Sequence, residues 1–175
     1  MVYINAISYH LARNPVDNQT IIDDYLPYVK SGEKPLSAED LYKQCWVKMR
    51  YQIDLDKTPK DLGNAAAEKL FGEWKIDKSE IQYIIFVSDA PDFKGPTTAC
   101  IMQDDLGLRK EVGAIDILHG CSGYIYGLSI AKALLIAEQV ENVLLITADA
   151  PSKIVHPADA DFRAIFGDEI GRAHV

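Results

Sequence analysis

Asp116-Ile117-Leu118-His119-Gly120-Cys121-Ser122-Gly123-Tyr124 is the stretch that decides the fold, because two periodicities meet in it. The residues leading into it, Val112 to Leu118, form an apolar run that predicts a strand. The residues after it, Ser122 to Gln139, are apolar nearly all round, with Ser129 and Lys132 as the chief polar interruptions. A helix of that kind belongs in the interior of a large structure. Gly123, Gly127 and Ala131 are spaced by four, so one face is pared down for close packing. A strand running directly into a buried helix through a glycine-flanked turn is one βα unit.

Working outward, the same alternation repeats. Ile81 to Val87 reads as a continuous apolar strand, the kind buried on both faces of a parallel sheet. Thr97 to Leu106 predicts a helix ending near Gly107, Val143 to Thr147 a further buried strand, and Ile165-Phe166-Gly167-Asp168 the approach to another. Toward the start, Val2 to Tyr9 predicts a first strand, and residues 10–36 show no clear period. Ser37 is placed to cap a short helix through Met49, with Leu41, Cys45 and Met49 on one face. Thr58-Pro59 opens a firmer helix, with Leu62, Ala66, Leu70 and Trp74 in one stripe. The βαβαβ order predicts an α/β fold with a mostly parallel sheet and helices on both sides. No internal repeat, low-complexity segment or linker interrupts it.

Composition narrows the function. The 175 residues carry 18 Lys plus Arg against 26 Asp plus Glu, a net charge of −8. That balance argues against nucleic acid and gives no reason to expect an anionic membrane surface. With 48% hydrophobic and 25% charged residues, the chain has the make-up of an ordinary globular protein. Cys45, Cys100 and Cys121 are too few and too scattered for a disulfide framework or a zinc site. The start has no signal-peptide pattern, and no apolar run approaches the ~20 residues of a membrane span. A reducing, cytoplasmic location is expected. Glu169 to Val175 reads as the translation of a common sequencing adapter. It is therefore set apart as foreign, and residues 1–168 are expected to be a fragment cut after Asp168.

The chemistry points to Cys121. A helix N-terminus carries a partial positive charge and free amides, which favour the thiolate and can stabilise an oxyanion on an acyl carbon. A structural cysteine in a tight turn satisfies the same local pattern, so geometry alone leaves both readings open.

Residues 81–168 resemble the N-terminal half of β-ketoacyl-ACP synthase III, a thiolase-fold condensing enzyme family. Pro96 to Gln103 is similar to the family's helix before the nucleophile strand, and Asp116 to Gly127 to its active-site cysteine segment. Val143 to Asp149, followed by Phe166-Gly167-Asp168, resembles the strand and Phe-Gly-Asp-Gly that come after. The resemblance implies a thiolase-like αβαβα layered fold of two related halves, with a buried central helix, in a protein that is usually a homodimer. It also implies that Cys121 accepts an acyl group from acyl-CoA, which then condenses with decarboxylating malonyl-ACP as in fatty acid biosynthesis. A His and an Asn of the second half assist in the family, and this chain stops before both. The implied partners are acyl-CoA and acyl carrier protein, with no cofactor beyond these substrates and no metal.

The departures from the pattern concern donor binding. Trp46 and Arg50 keep the family's Trp-x-x-x-Arg spacing, but Tyr51-Gln52-Ile53 stands where Thr-Gly-Ile is usual. They carry a substrate-binding role on spacing alone. Ala160 falls where an Arg that contacts CoA is often found, and Arg163 is the nearby alternative for a carrier contact. A relative that transfers acyl groups without decarboxylation and a non-catalytic partner subunit are the rival readings. Cys45 and Cys100 are expected in the core, His119 in a structural role, and His10 and His156 in loops. Asp104-Asp105 reads as a solvated helix end, Asp159 and Asp161 as surface, and Gly63 as a helix position rather than part of a phosphate loop.

Overall fold

The computed structural model describes residues 1–168 and the backbone of 171–174. The strands are β1 (Ile7–His10), β2 (Asn14–Asp17), β3 (Met49–Gln52), β4 (Tyr83–Ser88), β5 (Gly113–Leu118), β6 (Val143–Thr147) and β7 (Gly171–His174). The α-helices are α1 (Asn18–Tyr25), α2 (Ala38–Cys45), α3 (Pro59–Trp74), α4 (Thr98–Asp105), α5 (Gly123–Ile136) and α6 (Ala160–Ile165). They divide into two compact units. The first takes Met1–Leu11, Lys57–Asp149 and Ile170–Val175, and the second Ala12–Asp56 and Ala150–Glu169.

In the first unit a five-stranded sheet has the order β1-β7-β6-β4-β5. Strand β4 lies parallel to both β5 and β6, with Phe86 opposite Asp116 on one side and Ile146 on the other. Successive side chains of a strand point to opposite faces. Phe86 and Ile146 accordingly meet α3, where a Cβ on Gly63 would come within 2.9 Å of Ile146 and Met102. Val87 and Leu145 meet α5 on the other face, within 2.5 Å and 2.6 Å of where Gly123 and Gly127 would carry a Cβ. The helices thus flank a parallel three-strand core, the α/β layering that the βαβαβ order predicts. The small-residue face of α5 packs as its spacing predicts, while Ile125, Tyr126 and Ile136 remain exposed on the rest of the helix.

The parallel part of the sheet ends at β6. Strand β7 runs antiparallel to both β6 and β1. Of the adapter-like tail, Glu169, Ile170 and Val175 lie outside the described residues. The rest contributes backbone to β7, and backbone groups alone suffice for a ladder. Ile165–Asp168 leads toward a strand as expected: Ile165 closes α6, which Asp159 caps by accepting the Phe162 amide, and the strand that follows, β7, lies in the tail set apart as foreign. The first strand is also shorter than the apolar run suggests, since residues 1–5 are exposed and pairing starts at Ile7.

The second unit contains the largest departures. Residues 10–36, which show no period, hold β2 and α1, the latter capped by Asp17 accepting the Thr20 amide at 2.8 Å. An eight-residue helix that buries only Asn18, Ile21 and Ile22 is too short to print a periodic signature. Helix α2 has the predicted Ser37 cap, reinforced by Asp40 in a capping box, but it ends at Cys45 instead of Met49. Trp46 terminates it in the left-handed region at φ 58°, which frees Met49–Gln52 to pair with β2. Val16, Ile21, Ile22, Leu41, Ala160 and Ala164 form this unit's core, with Cys45 packed at its margin.

Candidate active site around Cys121

Three parallel strands deliver their carboxyl ends side by side: Ser88-Asp89 at the end of β4, His119-Gly120-Cys121 after β5, and Ala148-Asp149 after β6. Ligands of open α/β sheets bind at such ends. The His119 amide donates to the Ser88 carbonyl at 3.1 Å, continuing the ladder one residue past the strand. The chain then turns, and the Gly123 amide closes onto the Gly120 carbonyl at 2.7 Å. Gly123 opens α5 under steric compulsion, because a Cβ there would lie 2.5 Å from Val87 and 3.0 Å from His119. Cys121 sits in this turn, exposed, one residue before the helix cap Ser122. A helix of 14 residues directs its dipole at the turn.

The turn and the adjoining strand ends carry polar and aromatic side chains. The His119 ring stacks on Tyr126 with centroids 5.0 Å apart and planes 15° apart, and its Nε2 lies 3.4 Å from the Ser122 hydroxyl. Asp116, in the middle of β5, accepts the Thr98 and Ala99 amides at 2.7 Å each. It therefore caps α4 in place of Thr97, whose side chain makes no such bond. The helix before the nucleophile strand is thereby tied to that strand. Asp149 accepts the Ser88 hydroxyl at 2.7 Å and the Asp89 amide at 2.9 Å. Burial and the neighbouring Asp89 carboxyl push the Asp149 carboxyl up to about 7.

Neither Asp116 nor the Asp89–Asp149 pair stands out in the sequence reading. The available signal was a carboxylate directly after each of two apolar strands, Ser88-Asp89 and Ala148-Asp149.

The other site candidates lie in the second unit. Trp46 is 74% exposed and edge-on to Tyr42. Arg50 is buried, and its guanidinium donates to Asn18 Oδ1 at 2.8 Å and to the Ala164 carbonyl at 2.6 Å, which places its donors inside the unit. Arg163 pairs with Asp24 at 2.7 Å. Cys121 belongs to the first unit and these three residues to the second. Cys45 and Cys100 are half-buried, with Cys45 donating to the Leu41 carbonyl and Cys100 accepting from Thr97. His156 is edge-on to Tyr28. Asp105 meets Lys60 and Asn64, so that helix end is bonded as well as solvated. Among the described residues, no three His, Cys, Asp or Glu side chains gather as a metal site, and no helix is long and apolar enough to cross a membrane.

The sequence profile of the family 3-oxoacyl-[acyl-carrier-protein (ACP)] synthase III matches residues 115–173, a span that includes this turn. A β-ketoacyl-[acyl-carrier-protein] synthase III of Chlamydia muridarum is 38% identical over 155 residues, covering 82% of this chain and 46% of that protein. A crystal structure of a 3-oxoacyl-(acyl-carrier-protein) synthase III superimposes with a TM-score of 0.86 at 34% identity, over 98% of this chain and 48% of its own. The chain belongs to the 3-oxoacyl-ACP synthase III family. The synthase III of Thermus thermophilus gives the same TM-score at 29% identity, over 99% of this chain and 50% of that one. The chain thus spans about half the length of the synthase III relatives it matches.

Proposed function

We propose that Cys121 is the acyl-accepting nucleophile of a 3-oxoacyl-ACP synthase III-like acyltransferase. The observation that carries this reading is the placement of Cys121, exposed in the turn between β5 and the N-terminus of α5. The thiolate attacks the acyl carbon of an acyl-CoA, the tetrahedral oxyanion faces amides at the helix start, and the CoA thiol leaves. Malonyl-ACP then loses carbon dioxide. Its carbanion bonds to the acyl carbon, and the Cys121 thiolate is released as the 3-oxoacyl-ACP departs. Splitting one difficult carbon–carbon bond formation into two displacements is what the covalent intermediate achieves.

The second displacement needs donors at the malonyl thioester oxygen, where negative charge develops. In this reading they come from a His and an Asn of the half that the chain does not span. Acyl carrier protein and acyl-CoA are the partners, the full-length assembly is a homodimer, and a reducing cytoplasm keeps Cys121 a free thiol. Trp46 and Arg163 are the proposed carrier contacts. Arg50 supports them by fixing the Ala164 end of α6, the helix that bears Arg163.

Mass spectrometry of the chain mixed with an acyl-CoA tests the first step. One acyl group is expected on Cys121. It is absent in Cys121→Ala and retained in Cys45→Ala and Cys100→Ala. An adduct that survives Cys121→Ala overturns the assignment.

A further inference from the structure

We propose that His156 is a proton-operated latch on the turn His156–Asp159 that leads into α6, closed while its ring is neutral and open once the ring is charged. The turn is closed twice through this one residue. Its backbone carbonyl accepts the Asp159 amide at 2.9 Å, and its ring Nδ1 accepts the Ala158 amide at 3.1 Å. Accepting an N–H requires a bare lone pair on Nδ1, so the closed turn holds the neutral ring with its hydrogen on Nε2. The side chain does what an Asn does in a turn, accepting from the backbone two residues on. Here, however, a proton can remove the acceptor.

His156 is exposed, so solvent supplies that proton, and histidine side chains take one up between about pH 8 and about pH 5. A second hydrogen, on Nδ1, leaves an imidazolium with two donors and no acceptor. Nδ1–H and the Ala158 N–H then face each other, and the turn has to part. Tyr28, from the Leu26–Tyr28 turn, meets the ring edge-on with centroids 5.0 Å apart. Asp159, which caps α6, gives its carboxylate to the Phe162 amide at 3.0 Å. Arg163 of α6 reaches back to the Pro157 carbonyl at 3.5 Å and pairs with Asp24 of α1 at 2.7 Å. Lys153 directs its ammonium to the Asp54 and Leu55 carbonyls. Both carboxylates are thus already engaged while the turn is closed.

The consequence falls on Arg163. Ala160 and Ala164 keep α6 in the core of its unit, so an open latch does not release the helix. It withdraws the Pro157 carbonyl from Arg163 and leaves that side chain to its Asp24 pair. His156 is therefore a positioning residue that acts through the turn. Because Arg163 is a proposed carrier contact, the latch makes carrier binding sensitive to protons. That effect rests on the proposed function, whereas the latch itself does not.

The test is nuclear magnetic resonance of the nitrogen-labelled full chain, taken from about pH 8 to about pH 5. At the upper end the His156 ring is expected in its Nε2–H form, with the Ala158 amide proton downfield. On acidification that proton should move upfield in step with the imidazole. His156→Asn keeps an acceptor that cannot be charged, and should hold the Ala158 amide in place across the range. His156→Phe keeps a ring beside Tyr28 without an acceptor, and should show the open position throughout.

An Nδ1–H ring at about pH 8, or an Ala158 amide that ignores the imidazole titration, overturns the proposal. Both readings come from the unsubstituted chain, so they hold whether or not the variants fold. Affinity for holo-acyl carrier protein is measured over the same range. It should fall about three-fold further on acidification for the unsubstituted chain than for His156→Asn. An equal fall in both overturns the link from the latch to Arg163. No carrier binding by either protein, while Ala158 still follows the imidazole, removes the proposed role of Arg163 and leaves the latch standing.

Discussion

At Asp149 the folded chain keeps a proton that the unfolded chain gives up. The folded carboxyl titrates at about 7 and the free one at 3.8. Between those values the unfolded state binds fewer protons, so stability falls as pH rises across that window. The carboxylates of Asp17, Asp40 and Asp77 are shifted the other way, chiefly by hydrogen bonds from Thr20, Ser37 and Ser79, and their support is lost only as pH falls below 3.8. Thermal unfolding midpoints of the full chain should therefore decline from about pH 4 to about pH 7, and Asp149→Asn should flatten that decline. Equal slopes in both proteins would contradict the assignment. Single residues were legible in the sequence only where their surroundings are local. Cys121 is read from its own turn, but Asp149 meets Ser88 across 61 positions and Asp116 meets Thr98 across 18. No pattern within a window of a few residues contains those pairs.

Among the elements, the capping chemistry separates helices that announce themselves from those that do not. Helix α3 carries its own start signal, with Thr58 and Asp61 bonding each other's backbone and Pro59 in the first turn. Its counterpart α4 borrows its acceptor from β5, so the sequence around Thr97 holds no local record of the cap. Asp116→Ala should cost about 2 kcal/mol in denaturant-induced unfolding, since it leaves two amides at a helix start without their charged acceptor. Thr97→Ala should cost under about 0.5 kcal/mol. A reversed order would return the cap to Thr97. Strands β4 and β6 were legible because both of their faces are covered, which makes them continuous apolar runs. Strand β2 was not, because a four-residue edge with one buried side chain leaves no pattern to read.

For the molecule as a whole, the open side of α5 matters most. Ile125, Tyr126 and Ile136 stay exposed on a helix whose composition is that of an interior element. The Leu128–Ile136 stretch of the same helix also lines a cleft with Met1–Asn5. Apolar surface of this kind binds hydrophobic dyes or a second surface. The chain should enhance the fluorescence of an anilinonaphthalene dye under native conditions, and Ile125→Lys with Ile136→Lys should reduce it. No enhancement would mean that the face is covered in solution.

The pairing of β1 with β7 has a consequence for folding. Ile7–His10 and Gly171–His174 lie far apart in the chain, yet each is the other's ladder partner. The parallel trio β4, β5 and β6 draws only on the stretch between them. Strand β1 keeps its amides hydrated until that distant partner reaches it. Contacts between sequence-distant segments form slowly and leave an edge available to other chains in the interval. That interval is when this sheet is most open to mispairing.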